Sequence, residues 1–268
     1  MASFSVVNNI ASVNAQANLV GTNNGLQKAL NRLSSGFRIN YAGDDAAGLA
    51  VANGYRSDIA VLSQGIRNAN DGLSDLQIKD GALNNISTLL DRLSTLATQA
   101  ASGGTTASSR TTLDQEFQKI LEEIDREAGV ANLTTTAQGF SVFMSSTSGN
   151  NIVAGTFGRA NVAGLGLTSA AVSSLTAAQA AVSTIKSAVT NLGTVQGAIG
   201  TLENRLQFAI SLSQSQITNT KAAESRIRDA NIAEESANMT RYNILSQSGI
   251  AALSQANQTS ASVLSLLR

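Results

Sequence analysis

The side chains able to do chemistry in this 268-residue chain are carboxylates, lysines, arginines, hydroxyls and amides, because it contains no Cys, no His and no Trp. That removes thiol nucleophiles, every Ser-His or Cys-His relay and every Cys or His metal site in one step. Carboxylate or lysine chemistry stays open. Asp44 and Asp45 followed by Gly48 supply oxygens that a calcium loop would use, but the alternating ligands and terminal Glu of that loop are missing. Glu122, Glu123, Asp125 and Glu127 could be grouped as an acid–base cluster, yet nothing near them in sequence would desolvate them, so they read as a solvated helix face. Gly164-Leu165-Gly166 lacks the third glycine of a dinucleotide loop, and no phosphate-loop Gly-Lys-Ser/Thr occurs. Sequons begin at Asn85, Asn132, Asn238 and Asn257, as an Asn- and Thr-rich chain produces without selection for them. The residues predict no catalytic, cofactor or metal site, and a protein that is not an enzyme.

The elements that carry these residues are helices. A 3,4 apolar spacing, which lays a seam along one helix face, runs through Ile59, Leu62, Ile66, Ala69, Leu73 and Leu76, skips Asp80, and resumes at Leu83, Ile86, Leu90, Leu93 and Ala97. One helix of ~60 Å follows from a rise of ~1.5 Å per residue. A shorter amphipathic helix follows from Leu113, Phe117, Ile120 and Ile124. A third seam runs through Leu175, Ala178, Val182, Ile185, Val189 and Leu192, then shifts to Val195, Ile199, Leu202 and Leu206 and continues past Ile217. Leu26, Leu30, Leu33 and Phe37 repeat the spacing near the N-terminus, and Ile244, Ile250, Leu253, Val263, Leu264 and Leu267 give the C-terminal end an apolar face. The absence of Pro suits long uninterrupted helices.

Two stretches break the pattern. Residues 102–109 read as a turn, with Gly103-Gly104 stopping one helix and Ser108 or Ser109 capping the next. Between Asn132 and Leu167, Gly, Ser, Thr and Asn dominate, while Phe140, Val142, Phe143 and Ile152, Val153 suggest strands in one or two hairpins, with a turn at Ser148-Gly149-Asn150-Asn151. Formal net charge is zero, yet the only charges up to Gly43 are Lys28, Arg32 and Arg38, and from Ser236 onward Arg241 and Arg268. The ends therefore carry +5 and the middle −5. Such dilute charge makes no nucleic-acid stripe, and no apolar run reaches the roughly 18 residues of a membrane span. Sparsely charged, apolar-patterned ends point to burial against other protein. The first 18 residues carry no basic start and no continuous apolar run, so no cleaved signal peptide is expected.

Several ordered motifs carry a family resemblance. Leu33-Ser-Ser-Gly-Phe-Arg-Ile-Asn40, Asp44-Asp-Ala-Ala-Gly-Leu-Ala50 and Arg67-Asn-Ala-Asn-Asp-Gly-Leu73 resemble the N-terminal region of bacterial flagellins. Ser225-Arg-Ile-Arg-Asp-Ala230, Asn238-Met239, Gln255-Ala-Asn-Gln258 and Val263-Leu-Ser-Leu-Leu-Arg268 are similar to their C-terminal region. The matching segments cover roughly Ser5 to Gly129 and Val195 to Arg268. The usual Phe-Asn-Gly segment after the short helix is not evident, and only Val130 to about Ser169 separates the core segments, so the chain looks like a short form without large variable outer domains.

The resemblance implies a mainly α fold, an elongated antiparallel long-helix coiled-coil bundle with a small β-hairpin region. Residues 1–43 and 236–268 would form a terminal inner-core helical domain lining the filament channel, ordered on assembly. Residues 44–235 would form a rod-like outer-core domain with a hairpin insert near 130–168. The implied function is a structural subunit that self-assembles into the flagellar filament for swimming motility. The expected assembly residues are Leu26, Leu30, Leu33, Phe37, Ile250, Leu253, Val263, Leu264 and Leu267. The implied partners are further copies of the chain, flagellar junction and cap proteins, and an export chaperone with the flagellar secretion apparatus, with neither nucleic acid nor membrane. Matching positions also imply a contact of Arg92, Leu96 and Glu116 with a host Toll-like flagellin receptor, although Thr95 stands where the family has a Glu. The location is then the extracellular filament, reached without a cleaved signal peptide. A junction protein would match these motifs more loosely, and a helical adaptor or secreted translocator would share the heptads but not the motifs.

Overall fold

The computed structural model describes residues 9–134, 138–145 and 151–266, the last seven of these as backbone only. Among these residues six helices and two strands follow in the order α1 (Ile10–Ser35), α2 (Ala46–Ala100), α3 (Ala107–Val130), β1 (Gln138–Ser145), β2 (Asn151–Phe157), α4 (Val162–Leu165), α5 (Leu175–Arg228) and α6 (Ile232–Leu266). The expected mainly α class with one small antiparallel hairpin is what the chain adopts. It divides into two compact units, one formed by Met1–Ser57 with Asn219–Arg268 and the other by Asp58–Thr218.

In the second unit α2 and α5 run antiparallel, with Gly72 beside Leu206 and Gln196 donating to Asn84 at 3.3 Å. On α2 the buried seam includes Leu62, Ala69, Leu76, Leu83, Ile86, Leu90, Leu93, Ala97 and Ala100. The polar residue inside it is Lys79; Asp80 lies beside the seam. Ile59, Ile66 and Leu73 flank it half-buried, because Gly65 and Gly72 take the central positions there. On α5 the seam runs without a shift through Ala178, Ala181, Ile185, Ala188, Leu192, Val195, Ile199, Leu202 and Leu206. Leu175, Val182 and Val189, expected inside, are exposed. Alanines at the central positions let neighbouring backbones approach, a choice that hydrophobicity ranking alone reverses.

The hairpin lies on this helix pair. Phe140, Val142 and Gln138 pair with Gly155, Val153 and Phe157, and the ladder has an irregularity between Phe143 and Ser145. β1 sits so close to α2 that a Cβ on Gly65 would run into the Met144 carbonyl, and one on Gly72 would come within 2.7 Å of Val142 Cγ2. The expected turn at residues 148–151 lies largely outside the described residues. Thr106, not Ser108 or Ser109, caps α3, its hydroxyl accepting the Ser109 N–H at 3.2 Å.

In the first unit α1 and α6 pair antiparallel. Asn9 donates to the Ala256 carbonyl at 2.9 Å, and Arg32 pairs with Glu235 at 3.0 Å near the other end. α1 stops at Gly36, whose φ of 74° is one a side chain would strain.

Candidate functional site

The first unit is a helix pair with almost no interior. Among its described residues only Ala29, Ile39, Ala52 and Glu235 are fully buried. Leu19, Leu26 and Leu33 on α1 and Met239, Tyr242 and Leu253 on α6 turn toward the partner helix but stay half-buried. Gly25 and Gly249 let the helices close, with Tyr242 and Leu19 filling the space their side chains would occupy. On the opposite faces, Val13, Val20 and Ile244 project away from the pair, Val13 at 62% exposure, and Ile10, Leu30, Leu245 and Ile250 are also open to solvent. Fully burying one Val or Ile is worth about 1.5–3 kcal/mol. These residues therefore leave a large apolar driving force unspent. Solvating charge is scarce beside them, because α1 carries only Lys28 and Arg32 and α6, beyond its acidic first turn, only Arg241.

Of the expected assembly residues, Leu26, Leu33, Phe37 and Leu253 are half-buried, and Leu30 and Ile250 are exposed. Val263 and Leu264 continue the α6 backbone, and Leu267 lies outside the described residues.

One latch ties α1 to the loop before α2. The Asp44 side chain is 3% exposed, and its carboxylate meets Lys28 Nζ at 3.1 Å and accepts the Asn40 N–H at 3.3 Å. Burial alone would raise the Asp44 pKa, but the Lys28 ammonium and the backbone N–H groups of Asn40 and Tyr41 outweigh it and hold the carboxyl below its ordinary value. A second tie joins the two inter-helix segments. Phe37 and Asp229 form an antiparallel bridge, Arg38 N–H donates to the Arg228 carbonyl at 2.7 Å, Ala230 N–H donates to Gly36, and the Arg228 guanidinium stacks 4.2 Å over the Phe37 ring.

In the second unit Arg92 donates through Nε and Nη2 to one oxygen of Glu116, at 3.0 and 2.5 Å, and both side chains are exposed. Leu96 is 1% exposed, so its side chain belongs to the core and is not presented with them. Thr95 turns its hydroxyl back to the Arg92 carbonyl. Two carboxylates that periodicity assigns no partner anchor the segment after the hairpin. Asp125 accepts the Val162 N–H at 2.8 Å and Asp114 accepts the Val172 N–H at 2.7 Å. Asp45, weighed as a calcium ligand, accepts the Gly48 N–H at 2.8 Å. Among the described residues no group of acids could hold a metal ion, and no helix is long and apolar enough to cross a membrane.

Comparison with known proteins gives this surface a context. Residues 6–143 match the model of the bacterial flagellin N-terminal helical region, and residues 182–267 that of the C-terminal helical region. The chain is 35% identical over 269 residues to a flagellin of Halalkalibacterium halodurans, covering 97% of this chain and 98% of that protein. It is 34% identical over 281 residues to a flagellar filament 33 kDa core protein of Treponema phagedenis, covering 97% of this chain and 98% of that one. The crystal structure of Bacillus cereus flagellin aligns at 30% identity with a TM-score of 0.49, over 59% of this chain and 94% of that one.

Proposed function

Because the chain belongs to the bacterial flagellin family and is a structural subunit of the flagellar filament, we propose that α1 and α6 form its polymerisation surface, with further copies of the same chain as the occupant. The observation that carries this reading is the outward apolar set Val13, Val20 and Ile244 on a pair that buries almost nothing of its own. A helix pair this poorly covered gains further stability when another chain shields it, so assembly and ordering of the ends are coupled. Leu26, Leu30, Leu33, Phe37, Ile250, Leu253, Val263, Leu264 and Leu267 supply the assembly core. Residues 1–43 and 236–268 line the filament channel, and residues 44–235 form the outer core. Junction and cap proteins meet the same terminal surface at the ends of the polymer. An export chaperone and the flagellar secretion apparatus deliver the chain to the extracellular filament without a cleaved signal peptide. A host receptor would meet the Arg92–Glu116 pair, where exposure favours contact but the mutual ion pair occupies the guanidinium.

The test is a full-length variant carrying Val13→Ser, Val20→Ser and Ile244→Ser. Surface changes of this kind alter folding stability by about 0.5 kcal/mol or less each, so the monomer should keep its helicity and its melting midpoint. When seeded with filament fragments and viewed by negative-stain electron microscopy, it should fail to extend them. Filaments of wild-type length from this variant would remove the assembly role from these faces.

A further inference from the structure

The α2·α5 seam contains a charged step. Lys79 occupies a central position of α2 at 6% exposure, and its ammonium bonds Asp75 one turn back at 2.6 Å. Across the pair α5 brings Glu203, whose Oε1 is shielded from solvent and has no hydrogen-bond partner among the described residues. Gly72 beside Leu206 and Asn84 beside Gln196 bracket this section, so Glu203 faces the stretch of α2 that carries Asp75, Lys79 and Asp80. Asp80 accepts from Asn84 on its own helix at 3.2 Å. The nearest cation on α5, Arg205, is turned to the Ala154 carbonyl of β2 at 2.8 Å. On α3, Glu127 is held by Asn85 and Arg126. β2 carries no ionisable side chain. One lysine therefore stands among three carboxylates, and the carboxylate of Glu203 goes unanswered.

We propose that this step is an acid-strengthened joint, in which Glu203 takes a proton from solvent and donates the new O–H to the Asp80 carboxylate, tying α5 to α2 where at neutral pH the two acids repel. Burial first, and the Asp80 charge second, push the Glu203 pKa above its ordinary value of 4.5. The sign follows: ionised Glu203 costs stability above its raised value, and the cost disappears as the pH falls through that value toward 4.5. Carboxylates with lowered values, such as Asp44 and Glu123, stay ionised throughout that window.

Two measurements on the full chain decide it. Following the Glu203 side-chain carboxyl by 13C NMR should give a midpoint above 4.5, moving back toward 4.5 in Asp80→Asn. The thermal midpoint of wild type should rise as the pH falls from 7 through the Glu203 carboxyl midpoint, whereas Glu203→Gln should match or exceed wild type at pH 7 and show no such rise. A Glu203 carboxyl titrating at or below 4.5, an unchanged titration in Asp80→Asn, or equal pH responses of wild type and Glu203→Gln would overturn the joint. Should Glu203→Gln fail to fold, the carboxyl titration decides alone.

Discussion

Asp44 is almost completely enclosed, and the group it holds is 16 residues away on a helix with few other interior contacts. Its contribution is therefore large for so small a unit. Asp44→Asn keeps the shape and removes the charge, and is expected to lower the stability of the first unit by about 1 kcal/mol, since hydrogen bonds to charged groups are the stronger class but Lys28 is half in solvent. The pH dependence has the opposite sign to that of Glu203. The Asp44 contribution is whole above its ordinary value of 3.8 and fades as the pH falls through the lower folded value, so amide exchange in α1 should accelerate in wild type below that point and hardly change further in Asp44→Asn. The sequence exposes the Asp44-Asp45-Gly48 cluster but not its use, because residue types do not reveal a partner on another element. The same holds for Asp125, which spacing assigns to a solvated face and which the fold spends on the Val162 N–H.

Helices and seams were the most legible level. A 3,4 spacing is a direct consequence of 3.6 residues per turn, so the long helices and the hairpin strands could be located from apolar positions alone. What the pattern cannot decide is which of two adjacent stripes faces inward where alanines compete with valines, and Leu175, Val182 and Val189 fall outside the α5 seam for that reason. Nor could it find Gly65, whose only signal is a missing side chain in a helix. Gly65→Ala should push β1 off α2 and cost about 1–3 kcal/mol by overpacking, seen as a lower urea midpoint and faster proteolysis within the hairpin. Asp114→Ala should cost a similar amount, about 1–3 kcal/mol, by leaving the Val172 N–H without its acceptor, and hydrogen exchange at Val172 should report it directly.

At the scale of the molecule, the pairing of α1 with α6 was not readable from periodicity. An apolar stripe on one helix does not name the helix that covers it, and these two lie at opposite ends of the sequence, so the family motifs supplied that expectation. Removing residues 263–268 tests the division into units. The melting of the second unit should be unchanged, while seeded filament growth falls; growth at the wild-type rate would show the last turns of α6 to be dispensable. The bond from Asn9 to Ala256 closes a span of 247 residues, and a loop that long can close only after nearly the whole chain has been made. On the proposed reading of this pair as the polymerisation surface, it would work as a completeness check. A chain broken off before α6 would keep the hairpin and the seam around it but lack one half of that surface, so unfinished copies would be left out of the growing fibre without any separate inspection.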